Sequence, residues 1–177
     1  MRPITRLPAG YHRCMTTRGT TLGRAAALGA LSGVIGAGVM AGTEKLEQAF
    51  THRPNSFVPG RAMMRLLGRP APDDAEPVVS NLVMHYGTGA VVGAVRGIWA
   101  AVGMRGPRAN LAHTVFRLST DQSIENGTGV GAPPHTWPVV EQAVDVTHKS
   151  VYSWTTGLLA DRLIEPALQS ERGRTSH

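Results

Sequence analysis

Stretches without ionisable residues alternate along this chain with more polar stretches, and each is long enough to form a helix. The first block carries no ionisable residue from position 25 to position 43, and about 20 such residues are enough to cross a hydrocarbon layer. Gly29 and Gly33 recur four apart within it. The same helical face continues through Gly36, Met40, Glu44 and Glu47. Because small residues at this spacing let helix backbones approach, we predict a membrane helix here.

The residues before this block are basic and include no acid. Segment 1–23 therefore suits a secretory signal cleaved near the sequence VMAG, an organelle transit peptide, or the cytoplasmic flank of a retained helix. We favour the retained helix, because a cleaved peptide has no need of a face that continues to Glu44 and Glu47. Met15 is a second candidate for the first residue.

Residues 51–77 contain five prolines and predict a loop that holds one short amphipathic helix at 60–67. Its arginines, Arg61 and Arg65, lie one turn apart, which suits either packing on the domain or a position among lipid headgroups. A second apolar helix is predicted at 78–102. Gly89, Gly93 and Gly97 recur every four residues there, so we predict glycine-zipper packing of the two apolar helices.

Two further helices are predicted from a more polar pattern. Residues 109–124 place His113, Arg117 and Asp121 four apart on one face. Residues 138–164 follow an irregular segment rich in glycine and proline, and their polar face includes Glu141, Asp145, His148 and Tyr152. The residues after 165 are polar and predict a disordered tail.

Composition agrees with closely packed helices. The 177 residues include 21 glycines, 5% aromatic residues and 17% charged residues, which is a low charged fraction for a soluble domain. The net charge of +6 comes almost entirely from dispersed arginines with few aromatics between them, which argues against a nucleic-acid groove. Cys14 is the one cysteine, so an intramolecular disulfide and a cysteine-based zinc site are excluded.

These patterns predict an all-α fold, a small multi-pass membrane bundle of about four helices. The helical membrane domain is expected at 24–165, between the basic segment 1–23 and the tail 166–177. The near-neutral mean hydropathy of −0.09 leaves a soluble four-helix bundle as the alternative.

The ionisable residues of the four long helices fall on faces that can converge inside a bundle, where they are candidate site residues by default. They are Glu44, Glu47, His85, Arg96, His113, Arg117, Asp121, Glu125, Glu141, Asp145 and His148. Each of them also has a plain structural interpretation as the solvated face of an amphipathic helix.

Three chemistries compete for this set. A di-metal centre uses glutamate and histidine three apart on two helices, and Asp145 with His148 gives that spacing once, with aspartate in place of glutamate. Haem needs two facing histidines, for which His85, His113 and His148 are available. Acid–base catalysis needs a carboxylic acid kept protonated by apolar surroundings. The sequence identifies neither a metal nor a cofactor.

Three stretches resemble small, uncharacterised inner-membrane proteins of the YagU-like kind. They are GAGVMAGTEKLEQ, then RPNSFVP with MMRLLG, and then MHYGTGAVVGAVRG. The resemblance covers roughly the first 100 residues. It implies a multi-pass membrane protein and carries no reaction and no catalytic residue.

We therefore expect a membrane-embedded enzyme that performs acid–base chemistry, of a cyclase or isomerase kind, on a lipophilic substrate in a biosynthetic pathway. The expected partners are membrane lipid and a lipophilic small molecule, with a second copy of the chain as a further possibility and no nucleic acid. The alternatives are a non-enzymatic membrane protein for ion or proton handling or stress tolerance, and a soluble metal-binding bundle.

Overall fold

A computed structural model describes residues 9–168, which form five α-helices and one short 3-10 turn, without a strand in this range. The helices are α1 (Ala9–Thr51), α2 (Val58–Leu66), α3 (Val78–Ala101), α4 (Gly106–Gly127) and α5 (Val139–Leu163). The all-α prediction is confirmed. The predicted count of about four becomes five over the described residues, because the short amphipathic segment forms a complete helix, α2.

The domain boundaries are only partly accessible to the structure. Helix α1 runs without a break through the predicted boundary at 23 and 24. Residues 1–8 of the basic segment and most of the tail predicted at 166–177 lie outside the described residues.

Helices α1 and α3 pack with their backbones in direct contact. A β-carbon added at Gly93 would lie 2.6 Å from the Cα of Gly33, and one at Gly97 would lie 2.8 Å from the Cα of Gly29. Contacts this short leave no room for a side chain, so only glycine fits. Gly97 of α3 meets Gly29 of α1, and Gly93 meets Gly33, so residue numbers rise along one helix as they fall along the other. The two helices are therefore antiparallel. Glycine-zipper packing within lipid stays a prediction.

Helix α5 completes the bundle against α1 and α4. A β-carbon at Gly36 would lie 3.0 Å from the carbonyl oxygen of Tyr152, and one at Gly157 would lie 2.7 Å from the Cγ of Asn110. The four long helices therefore alternate in direction, and α1 and α4 end where α3 and α5 begin.

Short connections fix the two ends of the bundle. Helix α3 reaches α4 through residues 102–105, where Gly103 adopts a φ of 92°, a conformation that strongly favours glycine. Pro107 then stands in the first turn of α4, where its missing N–H is not needed. At the opposite end, α2 docks on α3, because the Gly60 N–H donates to the Asn81 side-chain oxygen at 2.9 Å.

The interior of the bundle is unusually polar. The buried apolar residues are mainly alanines, whereas Arg96, Asn110, His113 and Arg117 are almost fully buried with them. Large apolar side chains lie outward instead. Examples are Leu31, Ile35 and Leu46 of α1 and Val79, Leu82 and Val91 of α3. Within the described part of the chain, two segments, Thr21–Thr51 and Val78–Ala101, are long and apolar enough to cross a membrane.

Candidate functional site: a polar cavity at one end of the bundle

A cavity of about 440 Å³ opens at the end of the bundle where α1 and α4 end. All five helices contribute to its wall, and Gly131, Ala132 and Trp137 of the segment before α5 close one side. The alternating helix directions bring together the end of α1, the start of α3, the end of α4 and the start of α5. Polar residues far apart in sequence therefore meet here.

The cavity gathers most of the ionisable residues that the sequence singles out. Eight of those eleven line it, namely Glu44, His85, Arg117, Asp121, Glu125, Glu141, Asp145 and His148. The remaining three, Glu47, Arg96 and His113, do not line it. The convergence of polar faces at this end explains why the segment from 117 to 149 carries so many ionisable groups.

Arg96 belongs to the opposite end of the bundle. Its side chain is fully buried, and Nη2 donates to Asp161 and to Asn110 at 2.9 Å each. The Asp161 carboxylate also accepts from the Gly106 N–H at 2.8 Å. We call Arg96, Asn110, Asp161 and Gly106 the closing network. It ties α3, α4 and α5 together, so the expectation of a site role for Arg96 gives way to a structural one.

His113 and Glu47 also lie outside the cavity. The His113 ring is fully buried and stacks on Tyr152, with 5.7 Å between the ring centroids. Its Nε2 lies 3.2 Å from the Val92 carbonyl oxygen, so it is a core residue beneath the cavity. Glu47 accepts from Arg53 at 3.3 Å, and Arg53 reaches Glu141 at 3.1 Å. Glu47 is therefore connected to the cavity wall through Arg53, which also pairs with Glu141.

The inner wall of the cavity carries a chain of ion pairs. Arg117 donates to Asp121 at 2.9 Å, Lys149 lies 3.4 Å from the same carboxylate, and Lys149 reaches Asp145 at 2.6 Å. Two cations thus neutralise two carboxylates across α4 and α5. The pairs are largely buried, so removing one partner leaves a charge that water does not reach well.

Arg117 has a buried donor atom that bonds to no other described residue. Its guanidinium lies over the Tyr152 ring, 4.7 Å from the centroid, and its Nε is bonded to Asp121. Its Nη1 is buried without a hydrogen-bond partner. A buried donor left unbonded costs about 1–3 kcal/mol, and more when it is charged. The side chain as a whole lines the cavity, so an acceptor that reached this atom from the cavity would remove that cost.

Glu125 presents a carboxyl group without an ion-pair partner among the described residues. It lies in the last turn of α4, and the Val130 and Gly131 N–H groups both donate to its backbone carbonyl at 3.1 Å. The loop is thereby folded down over its side chain. Burial raises the pKa of Glu125 to about 7, so a large fraction of this group carries a proton near neutral pH.

His148 joins the polar cavity to an apolar groove. It lines both spaces, is nine-tenths buried with 9% of its surface exposed, and makes no side-chain hydrogen bond with another described residue. Burial lowers the pKa of His148 below its usual 6.5, so the ring is neutral at pH 7 and can accept a proton. The groove runs between α1 and α5 and is lined mainly by apolar residues, among them Leu46, Phe50, Val140 and Val144.

Comparisons of the chain with protein-family models, with curated proteins and with solved structures find no match. The case for this site therefore rests on its residues and their geometry.

Several residues that form the ion pairs of the cavity or the closing network were not singled out in the sequence. Lys149 is partly buried between Asp121 and Asp145, and its position four residues after Asp145 is the signal that was available. Arg53 lies in the proline-rich loop, where a pairing with α1 and α5 has no periodic signature. Asp161 and Asn110 complete the closing network through contacts between helices, which sequence spacing does not encode.

Metal ligation finds little support in the geometry. Among the residues whose side chains the structure describes, no group of three or more His, Cys, Asp or Glu side chains lies close enough to hold a metal ion. Asp145 and His148, the pair with the di-metal spacing, are engaged separately, since Asp145 binds Lys149 and His148 faces the groove. Acid–base chemistry is what this arrangement of groups can perform.

Proposed function

We propose that this chain is a small membrane enzyme that moves protons on a lipophilic substrate, in the manner of an isomerase or cyclase. The observation that carries the proposal is the placement of Glu125 and His148 on the wall of one cavity, with an apolar groove beginning at His148. Glu125 is the proton donor and His148 is the proton acceptor. General acid–base catalysis of this kind contributes about 10²–10⁴ in rate.

The proposed reaction is balanced without a co-reactant. Glu125 gives its proton to one atom of the substrate while His148 removes a proton from a carbon, so a double bond shifts. Protonated His148 then returns its proton at a different carbon, and Glu125 takes back its proton from the atom that it had protonated. The isomerisation is thereby completed and both residues are restored. Arg117 stabilises the negative charge that develops on the substrate atom to which Glu125 donates, because its Nη1 has no other partner among the described residues and a fixed donor stabilises charge as it develops.

The proposed membrane location rests on the distribution of side chains. Segments Thr21–Thr51 and Val78–Ala101 are the proposed spans. Most of their large outward residues are apolar, and the exposed charged residues Arg24 and Lys45 lie toward the two ends of the first span. In water this arrangement would leave apolar surface unburied, whereas in lipid it needs no further partner. It supports a multi-pass protein and agrees with the YagU-like resemblance. It also makes a soluble metal-binding bundle the weaker alternative.

Ion or proton handling is the other membrane function considered for this chain. A conduit needs a continuous polar path between the two ends of the bundle. Below the cavity, however, Ala37, Val92 and Tyr152 form a packed and almost fully buried layer, and beyond it lies the closing network. The cavity is thus closed at its inner end, which favours a binding site over a path for ions or protons.

The proposed reaction is tested by following solvent deuterium into lipids. Membranes containing the protein are incubated in D₂O with a lipid extract of the cells that make it, and mass spectrometry detects lipophiles that gain deuterium. We expect at least one labelled product with the unaltered chain, and a loss of about 10²-fold or more with Glu125→Gln or His148→Ala. Arg108→Gln, on the exposed face of α4, is the control and should label normally. Equal labelling by all four proteins, or by none, contradicts the proposal.

A further inference from the structure

The polar cavity and the apolar groove meet at His148, so one ligand can occupy both. The groove has a volume of about 640 Å³ and is bordered on α1 by Leu46 and Phe50 and on α5 by Val140 and Val144. An alkyl chain lying there would emerge beside His148 and continue into the cavity. The geometry therefore calls for a molecule with one apolar tail and one polar head.

The charges of the cavity decide what the head can be. Its wall includes five carboxyl groups and three arginine or lysine side chains, so it lacks the positive surplus that an anionic head requires. On the inner wall, Arg117 and Lys149 are already neutralised by Asp121 and Asp145. A carboxylate or phosphate would add negative charge to this neutral group.

An ammonium head is disfavoured for a different reason. It carries hydrogen-bond donors and no acceptor, whereas the inner wall of the cavity, next to Tyr152, already presents the donors of Arg117 and Lys149. The unused hydrogen-bonding capacity at this wall is that of a donor, the Nη1 of Arg117. Glu125 in its protonated form is a second donor. Two donors without acceptors call for an uncharged oxygen with free lone pairs.

We propose that the site binds an uncharged carbonyl compound with a long alkyl chain, its oxygen on Arg117 Nη1 and the Glu125 hydroxyl, and its chain in the groove between α1 and α5. A carbonyl oxygen has two lone pairs and can accept from both donors at once. This inference rests on the proposed function for its site and deepens it, because a carbonyl oxygen is also the atom to which Glu125 would give its proton.

The test uses 2-dodecanone labelled with ¹³C at the carbonyl carbon, added to the full-length protein in lipid nanodiscs. Isotope-difference infrared spectroscopy separates the carbonyl band of bound ketone from free ketone, because hydrogen bonding to charged donors lowers its frequency. We expect a shifted band that saturates on titration. Arg117→Lys should weaken binding by about tenfold or more, while Arg108→Gln on the same helix should bind normally.

A second pair of variants tests the groove. Val144→Trp places a large side chain within it and should abolish the saturable band, whereas Val146→Trp, on an exposed position of α5 outside the groove, should preserve it. This pair decides the question even where Arg117→Lys fails to fold. Equal binding by both tryptophan variants would overturn the assignment of the chain to this groove.

Competition with ligands of the same chain length tests the head group. Unlabelled 2-dodecanone should displace the labelled ketone at a concentration about tenfold lower than dodecanoate or dodecylamine. Stronger displacement by either charged ligand, or the absence of a shifted band in the unaltered protein, overturns the inference. A saturable band without deuterium incorporation would instead refute the proposed reaction and leave the ligand class standing.

Discussion

Two buried arginines, Arg96 and Arg117, lie toward opposite ends of this bundle and have different surroundings. Arg96 pairs with Asp161 and Asn110, and its unbonded Nε faces the backbone at Gly157, where an added β-carbon would lie only 3.2 Å away. The unbonded Nη1 of Arg117 belongs to a side chain on the wall of a cavity. An unused donor indicates a ligand only where there is space for one.

The same difference separates the two ends as a whole. The closing network consists of short bonds between helices, and glycine at 157 lets α4 and α5 approach closely around it. The cavity end is built from longer side chains with open space between them, and its carboxyl groups exceed its cations. Stability is therefore expected to depend most on Arg96, and ligand binding most on Arg117.

The largest effect is expected from Arg96→Leu. It removes the buried partner of Asp161 and leaves Asn110 without its donor, which should lower the free energy of unfolding by about 3–5 kcal/mol. Unfolding in detergent, followed by circular dichroism against denaturant, measures this loss. Arg162→Leu, one residue from Asp161 but exposed, is the matched control and should change stability by about 0.5 kcal/mol or less. Similar losses in the two variants would contradict the closing network.

A smaller loss is expected from Gly157→Ala. The added methyl group would meet the Asn110 amide, with its Cγ at 2.7 Å, and overpacking of this kind costs about 1–3 kcal/mol. Gly127→Ala, in the last turn of α4 at the cavity end, meets no atom within 4 Å. There alanine should stabilise by up to about 1 kcal/mol because of its helix propensity. The two changes should therefore move the melting temperature in opposite directions, and a shift of the same sign would refute the contrast between the ends.

Arg117→Leu sharpens the comparison directly. Asp121 keeps Lys149 as a partner when Arg117 is removed, so we expect a loss of only about 1–2 kcal/mol, well below that of Arg96→Leu. Denaturant unfolding of the two variants under identical conditions makes the test. A loss for Arg117→Leu that equals the loss for Arg96→Leu would mean that both arginines are structural.

The last effect concerns pH. Because the pKa of Glu125 is raised to about 7, its contribution to stability is fully present below about pH 4.5, the usual value for the unfolded chain, and is lost as pH rises toward 7. Melting temperatures measured from pH 4.5 to pH 8 should therefore fall less steeply for Glu125→Gln than for the unaltered protein. Glu76→Gln, at an exposed loop position, should retain the original slope. Parallel curves for all three proteins would contradict a buried, protonated Glu125.

The sequence predicted the helices well, because their signals are local. The predicted 78–102 and 138–164 agree closely with α3 (Val78–Ala101) and α5 (Val139–Leu163), since apolar periodicity and the prolines at their starts mark both helices. The predicted 109–124 was too short. Helix α4 begins at Gly106, just before Pro107, and continues to Gly127, so proline at its first turn and a glycine at its end were undervalued.

The membership of the cavity was predictable only as a set of candidates. Shared helical faces pointed to Asp121 and Asp145, and the segment after the third predicted helix added Glu125. The same reasoning included Arg96, which faces the same interior at the opposite end. Which end of an antiparallel bundle a residue occupies depends on the register between helices. That register is set here by backbone contacts at glycine. The spacing of the glycines in the sequence indicates that such contacts form, but it does not show which glycines meet.

The glycine contacts between α1 and α3 have a mechanical consequence. With no side chains between the two backbones, rotamer changes cannot widen or narrow the distance between the two helices, and the pair behaves as a rigid unit. Any motion that admits a ligand must therefore come from the elements packed against this helix pair. At the cavity those parts are α2, the loop over Glu125 and the first turns of α5.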